Sequence, residues 1–392
     1  MKSLKILSAL ILLGTVILAC ASTPNPQQVD QAATIVAQTL RAVTPAPTAS
    51  LLPHSLYFLN NDKQKGVVQV FRLDADGKNL HQITFEPANV DAYDISTKDG
   101  SVAYVSDNRL LMVDVNGAGR RVLMDGGTLN DNNRWTDEIG APAFSPNGQT
   151  LAFAHNGLNF YTVSTGAIVN PIKNQIDASN AVPIVKELYS PSKYSPDGSR
   201  LLINIGYYEG GTQGIYNPAN NLILKFHRSD QVNVCCNAQW TPDGSGLYAA
   251  YAELGMVEPG LWYIKAADGS AGALLPGSAA DGSYNFADAP TVGPDGKLYF
   301  FFNNLKDAPQ VGPAPLYMVK SNPDGVTGRV KLRQEAFANV NEYLWAPDAS
   351  FAILAYAPTQ GVTQGGQAVI EYADGRKSVV LADFAMGLKW GP

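Results

Sequence analysis

Tyr194-Ser195-Pro196-Asp197-Gly198 recurs along the chain. Phe144-Ser145-Pro146-Asn147-Gly148, Trp240-Thr241-Pro242-Asp243-Gly244 and Val292-Gly293-Pro294-Asp295-Gly296 are close copies of it. Ile95-Ser96-Thr97-Lys98-Asp99-Gly100 and Trp345-Ala346-Pro347-Asp348-Ala349 are looser ones, and Trp390-Gly391-Pro392 begins a seventh. The lead residues stand at 95, 144, 194, 240, 292, 345 and 390, spaced by 45 to 53 residues. A period of that size marks a repeat architecture.

Each copy is a tight turn. Proline fixes φ at the first central position, Asp or Asn hydrogen-bonds the turn backbone, and glycine takes the positive φ. A large apolar residue leads in and an apolar run such as Leu201-Leu202-Ile203 or Leu298-Tyr299-Phe300 follows, which reads as strand, turn, strand. A second set of turns, including Asp74-Ala75-Asp76-Gly77, Asp114-Val115-Asn116-Gly117, Asp268-Gly269 and Asp374-Gly375, joins two further strands in every unit. Trp240, Trp345 and Trp390 share the lead position, which argues for core filling.

The expected fold is therefore all-β: a seven-bladed β-propeller over residues 54–392. The ends are out of phase. The first unit lacks its innermost strand, and residues 386–390 form an innermost strand with nothing after it. Joining them completes one blade from both termini, a strand clasp that hides the open edge of a linear array. Abundant glycine (36) and proline (25) fit many tight turns, and 45% hydrophobic with 16% charged residues fits a large core. A formal charge of −6 without any basic cluster argues against nucleic acid as a partner.

Residues 1–19 form a sorting signal: Lys2 and Lys5, an apolar segment over 6–19, then Ile17-Leu18-Ala19-Cys20. This resembles the bacterial lipoprotein signal, which implies lipidation of Cys20 and export to the cell envelope. The bilayer contacted would be the outer face of the cytoplasmic membrane or the outer membrane. Residues 20–53 read as a tether, with Pro-rich pieces at 22–26 and 44–48 around a short helix. The apolar stripe of that helix is Val29, Ala33, Val36, Leu40 and Val43.

The turn sequences and the Leu-Tyr type strands after them resemble the TolB-like, WD-related propeller repeats of bacterial envelope proteins. The resemblance covers 54–392 and implies the fold. It stops there, because TolB pairs a six-bladed propeller with another domain while seven units are counted here. No TolB partner is carried over.

In an up-and-down blade the two kinds of tight turn share one face and the longer connections share the other. The long set is expected at 126–140, 174–190, 206–214, 253–260, 276–289, 303–313 and 358–366. Variable loops on a rigid scaffold are where function concentrates. Trp135, Asp137, Glu138, Tyr207, Tyr208, Glu209 and Glu253 are the candidate ligand-binding residues, since aromatics beside carboxylates suit a polar ligand with an apolar face. Mutual packing of these loops over the channel is the competing reading.

Catalytic motifs are lacking. There is no Gly-x-Ser-x-Gly and no Ser-x-Asp-x-Gly-x-Thr-Trp box. The four histidines have no metal-ligand spacing. Asn130-Asp131-Asn132-Asn133 with Asp137 and Glu138 offers oxygen ligands for Ca²⁺, against the plainer reading of a solvated loop. Cys235-Cys236 reads either as a vicinal disulfide beside a ligand site or as a reduced, half-buried pair. The function expected is non-enzymatic binding of a protein, peptide or glycan by a membrane-tethered propeller. A lactonase- or lyase-like enzyme with a channel metal, and a structural part of an envelope assembly, are the alternatives.

Cys20→Ser tests the anchor. The variant should appear in the soluble fraction with its leader unprocessed or misprocessed, while the wild type stays with membranes. A soluble wild type carrying an ordinary signal-peptidase cut would refute the lipoprotein reading.

Overall fold

The computed structural model describes residues 50–392 except 63, 132, 178, 180–183, 228–237, 256, 308, 310–311 and 360. The signal, Cys20, nearly all of the expected tether and Cys235-Cys236 lie outside the described residues. The compact unit begins at Leu51, and Leu52 is already buried in the core.

The strands that follow the Ser-Pro-Asp-Gly type turns are apolar without alternation. Leu298–Leu305, for example, reads LYFFFNNL. Such a run needs both faces of its sheet covered, and the fold supplies that cover by standing sheets side by side. Among the described residues the strands make seven antiparallel blades of four, one of them extended by a fifth strand. The innermost strands of blades 2 to 7 are Val90–Ile95, Gly140–Phe144, Ile184–Tyr194, Gln239–Trp240, Tyr284–Val292 and Val340–Trp345. Seven apolar clusters fill the seven gaps between neighbouring blades. Adjacent residues serve different gaps: Phe300 and Phe302 pack toward blade 5, and Phe301 toward blade 7.

The innermost strand of blade 1 comes from the far end of the chain. Val379–Trp390 pairs first with Gly366–Tyr372 as the outer strand of blade 7 (Ala368↔Ala382). Its continuation then pairs with Leu56–Asn61 (Leu56↔Trp390, Leu59↔Met386) as the inner strand of blade 1. The expected clasp is present, made by one uninterrupted strand. Groups on both sides hold it. Glu342 accepts the backbone N–H of Gly387 at 2.8 Å and of Leu388 at 2.9 Å, Lys389 pairs with Asp94 at 2.6 Å, and the Tyr93 hydroxyl donates to the Gly387 carbonyl.

Of the lead tryptophans Trp345 is buried in the core while Trp240 and Trp390 pack against it half-buried, and all three donate across blade boundaries. Trp240 Nε1 donates to the Lys193 carbonyl (3.1 Å), Trp345 to that of Ala289 (2.8 Å) and Trp390 to that of Trp345 (2.8 Å). Each indole bonds the inner strand of the preceding blade. Trp345 also meets Tyr299 edge-on, with ring centroids 5.8 Å apart.

The repeated turn has one geometry. Gly198 N–H donates to the Ser195 carbonyl at 2.9 Å, and the Ser195 hydroxyl donates to Asp197 at 2.6 Å. Gly198 sits at φ 73°. In the looser copy Ala349 takes φ 56°, left-handed backbone that an L side chain adopts only at a cost. Hydrogen bonds from Ser195, Ser199 and the Ser199 amide hold the Asp197 carboxyl down at about 2.

Two expected long connections turn out otherwise. Residues 206–214 are not a loop: Leu201–Tyr207 and Gly210–Asn217 pair to their ends (Tyr207↔Gly210), leaving Tyr208-Glu209 as a two-residue turn. Glycines that suggested a loop are strand residues here. Gly214 has to be small, because a Cβ would lie 2.9 Å from the Leu224 carbonyl oxygen. Residues 174–190 contain an added hairpin strand, Gln175–Asp177, paired with the start of Ile184–Tyr194.

Trp390 separates ring closure from ring packing. Because Trp390 is half-buried, Trp390→Ala should lose about 2–3 kcal/mol in urea unfolding, below the figure for a fully buried aromatic. Trp390→Phe should lose about 1 kcal/mol or slightly more through the lost hydrogen bond and the smaller ring. Deletion of 386–392 should aggregate or melt far earlier. A truncated chain that melts like wild type would show that blade 1 does not depend on this strand.

Candidate functional site

On the long-connection face, a cleft of about 480 Å³ lies between blades 2, 3 and 4. Its wall is the connection 126–139, which makes one helical turn, Arg134–Asp137. Two asparagines fix that wall. Asn108 Nδ2 donates to the carbonyls of Gly127 (2.9 Å) and Asp137 (3.1 Å), and its Oδ1 accepts from Ile139 N–H (2.8 Å). Asn174 Nδ2 donates to the Trp135 carbonyl and its Oδ1 accepts from Tyr189 N–H, both at 2.9 Å. The wall also needs Gly126, since a Cβ there would stand 2.5 Å from Asn108 Nδ2.

Trp135 lines this cleft at 41% exposure, with Glu138, Asp91, Arg134 and Tyr189 around it. Burial raises the Asp91 carboxyl above its ordinary value, and the charge of Glu138 raises it further. The Arg134–Glu138 pair is 3.7 Å apart and solvent-exposed, so it offsets little of that repulsion. Tyr189 is buried; its hydroxyl donates to Glu187 and accepts from Gln175 at 2.8 Å. The cleft thus offers an indole face, two carboxylates that repel each other, and carboxamides already oriented by the backbone. That set suits binding of a partly apolar ligand bearing a donor or a positive charge.

The expected site residues divide. Trp135 and Glu138 line the cleft, whereas Asp137 turns its carboxylate to the Thr136 hydroxyl at 2.8 Å. Tyr207 is half-buried against the core between blades 3 and 4 and lies near Tyr189. Tyr208 is 78% exposed at the tip of its turn, beside exposed Glu209. Glu253 is half-buried on blade 5, near Tyr251 and outside this cleft. Asp91, Asn108 and Asn174 are the residues that sequence reasoning missed. Asn108 follows Asp107 in a left-handed pair (φ 50° and 51°), and Asp-Asn between two apolar strands was the available signal. In the acidic loop the Asn133 side chain is committed to Asn130 N–H (2.7 Å) and the Thr128 carbonyl (3.0 Å). Among the described residues no group of three or more His, Cys, Asp or Glu is placed to hold a metal.

No protein-family model and no curated protein sequence matches the chain. Solved structures do. A functionally unknown protein from Desulfotomaculum acetoxidans is 13% identical with a TM-score of 0.52, covering 86% of this chain and 99% of that one. Dipeptidyl peptidase 4 of Porphyromonas gingivalis is 12% identical with a TM-score of 0.50, over 84% of this chain and 51% of that one. TolB from Acinetobacter baumannii is 14% identical with a TM-score of 0.43, over 84% and 80%. At such identities the likeness is one of fold. In repeat and in architecture the chain is a seven-bladed β-propeller.

The coupling of the two carboxylates can be read directly. In a ¹³C carboxyl titration Asp91 should titrate above the ordinary aspartate value, and Glu138→Gln should move it down. A raised folded value means protonation favours the native state. That contribution is complete at low pH and is lost as pH rises through the Asp91 midpoint. An Asp91 midpoint unchanged by Glu138→Gln would separate the two groups.

Proposed function

We propose that the protein is a binding propeller, tethered to the cell envelope through Cys20, that recognises a protein, peptide or glycan on its long-connection face. The observation that carries this reading is the prebuilt cleft at Trp135. A large aromatic is kept exposed while Asn174 holds its carbonyl and Asn108 holds that of Asp137, two residues on. Exposed tryptophan on a fixed frame is the pattern of an interface hot spot, because little order remains to be lost on binding. Tyr208, on the neighbouring hairpin tip, extends the same face as a second, looser contact. Support for the tether is the lipoprotein-type leader in the sequence.

The test is a screen of the soluble propeller against glycan and peptide arrays, followed by matched variants. Trp135→Ala should weaken the ligand found by roughly tenfold or more with an unchanged melting temperature. Tyr208→Ala should weaken it less. Asp74→Ala with Asp76→Ala, on the opposite face, should leave binding intact. Equal binding by all variants would place the site elsewhere.

A further inference from the structure

The opposite end of the central channel carries chemistry that the long-connection face does not use. There, beside the Ser-Pro-Asp-Gly type turns, a cavity of about 370 Å³ is lined by Asp94, Lys193, Tyr194, Lys389 and Trp390 among others. These residues arrive on the inner strands of blades 2, 4 and 1. The closed ring brings them together across nearly 300 residues of sequence.

Two inner-strand carboxylates of the channel are occupied. Asp94 spends one oxygen on Lys389 Nζ at 2.6 Å and the other on Phe144 N–H at 2.6 Å. Glu342, further along the channel, has its two oxygens on the N–H groups of Gly387 and Leu388. Lys193 is different. Among the described residues its ammonium has one hydrogen-bond partner, the neutral Oε1 of Gln239 at 2.5 Å, and its side chain remains open to solvent. An ammonium carries three donors. Two of them are therefore available in the mouth of a cavity that also holds Lys389. The solvent it meets is the water of the channel, with inner strands crowded around it. That crowding, and then the charge of Lys389, push the Lys193 ammonium down to about 8, with Asp94 acting in the other direction. The cavity lining thus sets two ammonium groups, Lys193 and Lys389, against the single carboxylate of Asp94.

We propose that the short-turn mouth of the channel is a carboxylate-binding site in which Lys193 supplies the main charge and Lys389 the second donor. A small free dicarboxylate and the carboxyl terminus of a peptide present the same group, and both fit a cavity of this size open at one end. Aromatic walls from Tyr194 and Trp390, and aliphatic ones from Leu344 and Leu388, would cover the carbon chain behind the carboxylate. This site goes beyond the long-connection cleft, so either can fail without the other.

The probes are succinate, pentaglycine with a free carboxyl terminus, and the same peptide amidated, titrated calorimetrically into the soluble propeller at pH 7 and pH 9. Succinate or free-acid pentaglycine should bind at pH 7. Binding should be about tenfold weaker at pH 9, because most Lys193 is then neutral and must take up a proton. Lys193→Gln should weaken binding roughly tenfold. Lys193→Arg should keep binding and abolish the difference between pH 7 and pH 9, since a guanidinium stays charged at both. That rescue is something a merely structural lysine would not give. Binding of succinate alone identifies a free dicarboxylate as the source, and binding of the free-acid but not the amidated peptide identifies a chain terminus. Absence of heat with any probe at millimolar concentration overturns the proposal. So does a folded Lys193→Gln protein that binds as well as wild type.

Discussion

Everything in this fold depends on the ring being closed, and one strand closes it. Val379–Trp390 is the outer strand of blade 7 for half its length and the inner strand of blade 1 for the other half. A propeller blade has no core of its own, because each sheet buries both faces against its neighbours. Opening the ring at one point would expose two sheet faces and an unpaired edge together. The grip on 386–390 is correspondingly dense. Glu342 holds it from blade 7, Asp94 and Tyr93 hold it from blade 2, and the Trp390 indole bonds back to Trp345.

The same closure divides labour between the two faces. Turns of the Ser-Pro-Asp-Gly type are short and satisfied by their own side chains, as Ser195, Asp197 and Ser199 show. They hold the blades at fixed pitch. The connections on the other face are free to differ in length, and the one at 126–139 builds a cleft by being tacked to neighbouring connections of blades 2 and 3 through Asn108 and Asn174. The channel between the faces is lined by the inner strands. Charges placed there meet partners contributed by other blades, as Lys389 and Asp94 do.

The candidate site was partly legible in the chain. Trp135 and Glu138 could be picked out because a long polar connection carrying a tryptophan has few structural uses for it. Tyr207, Tyr208 and Glu209 were picked for the wrong reason. A glycine-rich stretch looked like a loop, while those glycines are strand residues, Tyr207 ends its strand and only Tyr208-Glu209 form a turn. Asp91 was invisible, since its burial, and then the charge of Glu138 on the next connection, arise only on folding. Lys193 was invisible for the same reason: its neighbours are Gln239 and Lys389, one and four blades away by chain order.

By itself the sequence determined the local and the periodic. Turn chemistry is a property of four or five adjacent residues, and apolar runs bounded by such turns specify strands wherever they occur. The recurrence of that unit gave blade number, and the phase of the two ends gave the clasp, because a repeat can be counted without knowing its contacts. Tertiary structure alone decided what meets across the ring. Which carboxylates are neutralised, which lysine lacks a counter-charge and which asparagines brace a loop depend on side chains brought together by closure. Separation along the chain carries no record of those distances, since electrostatics and hydrogen bonding act through a few ångströms of space.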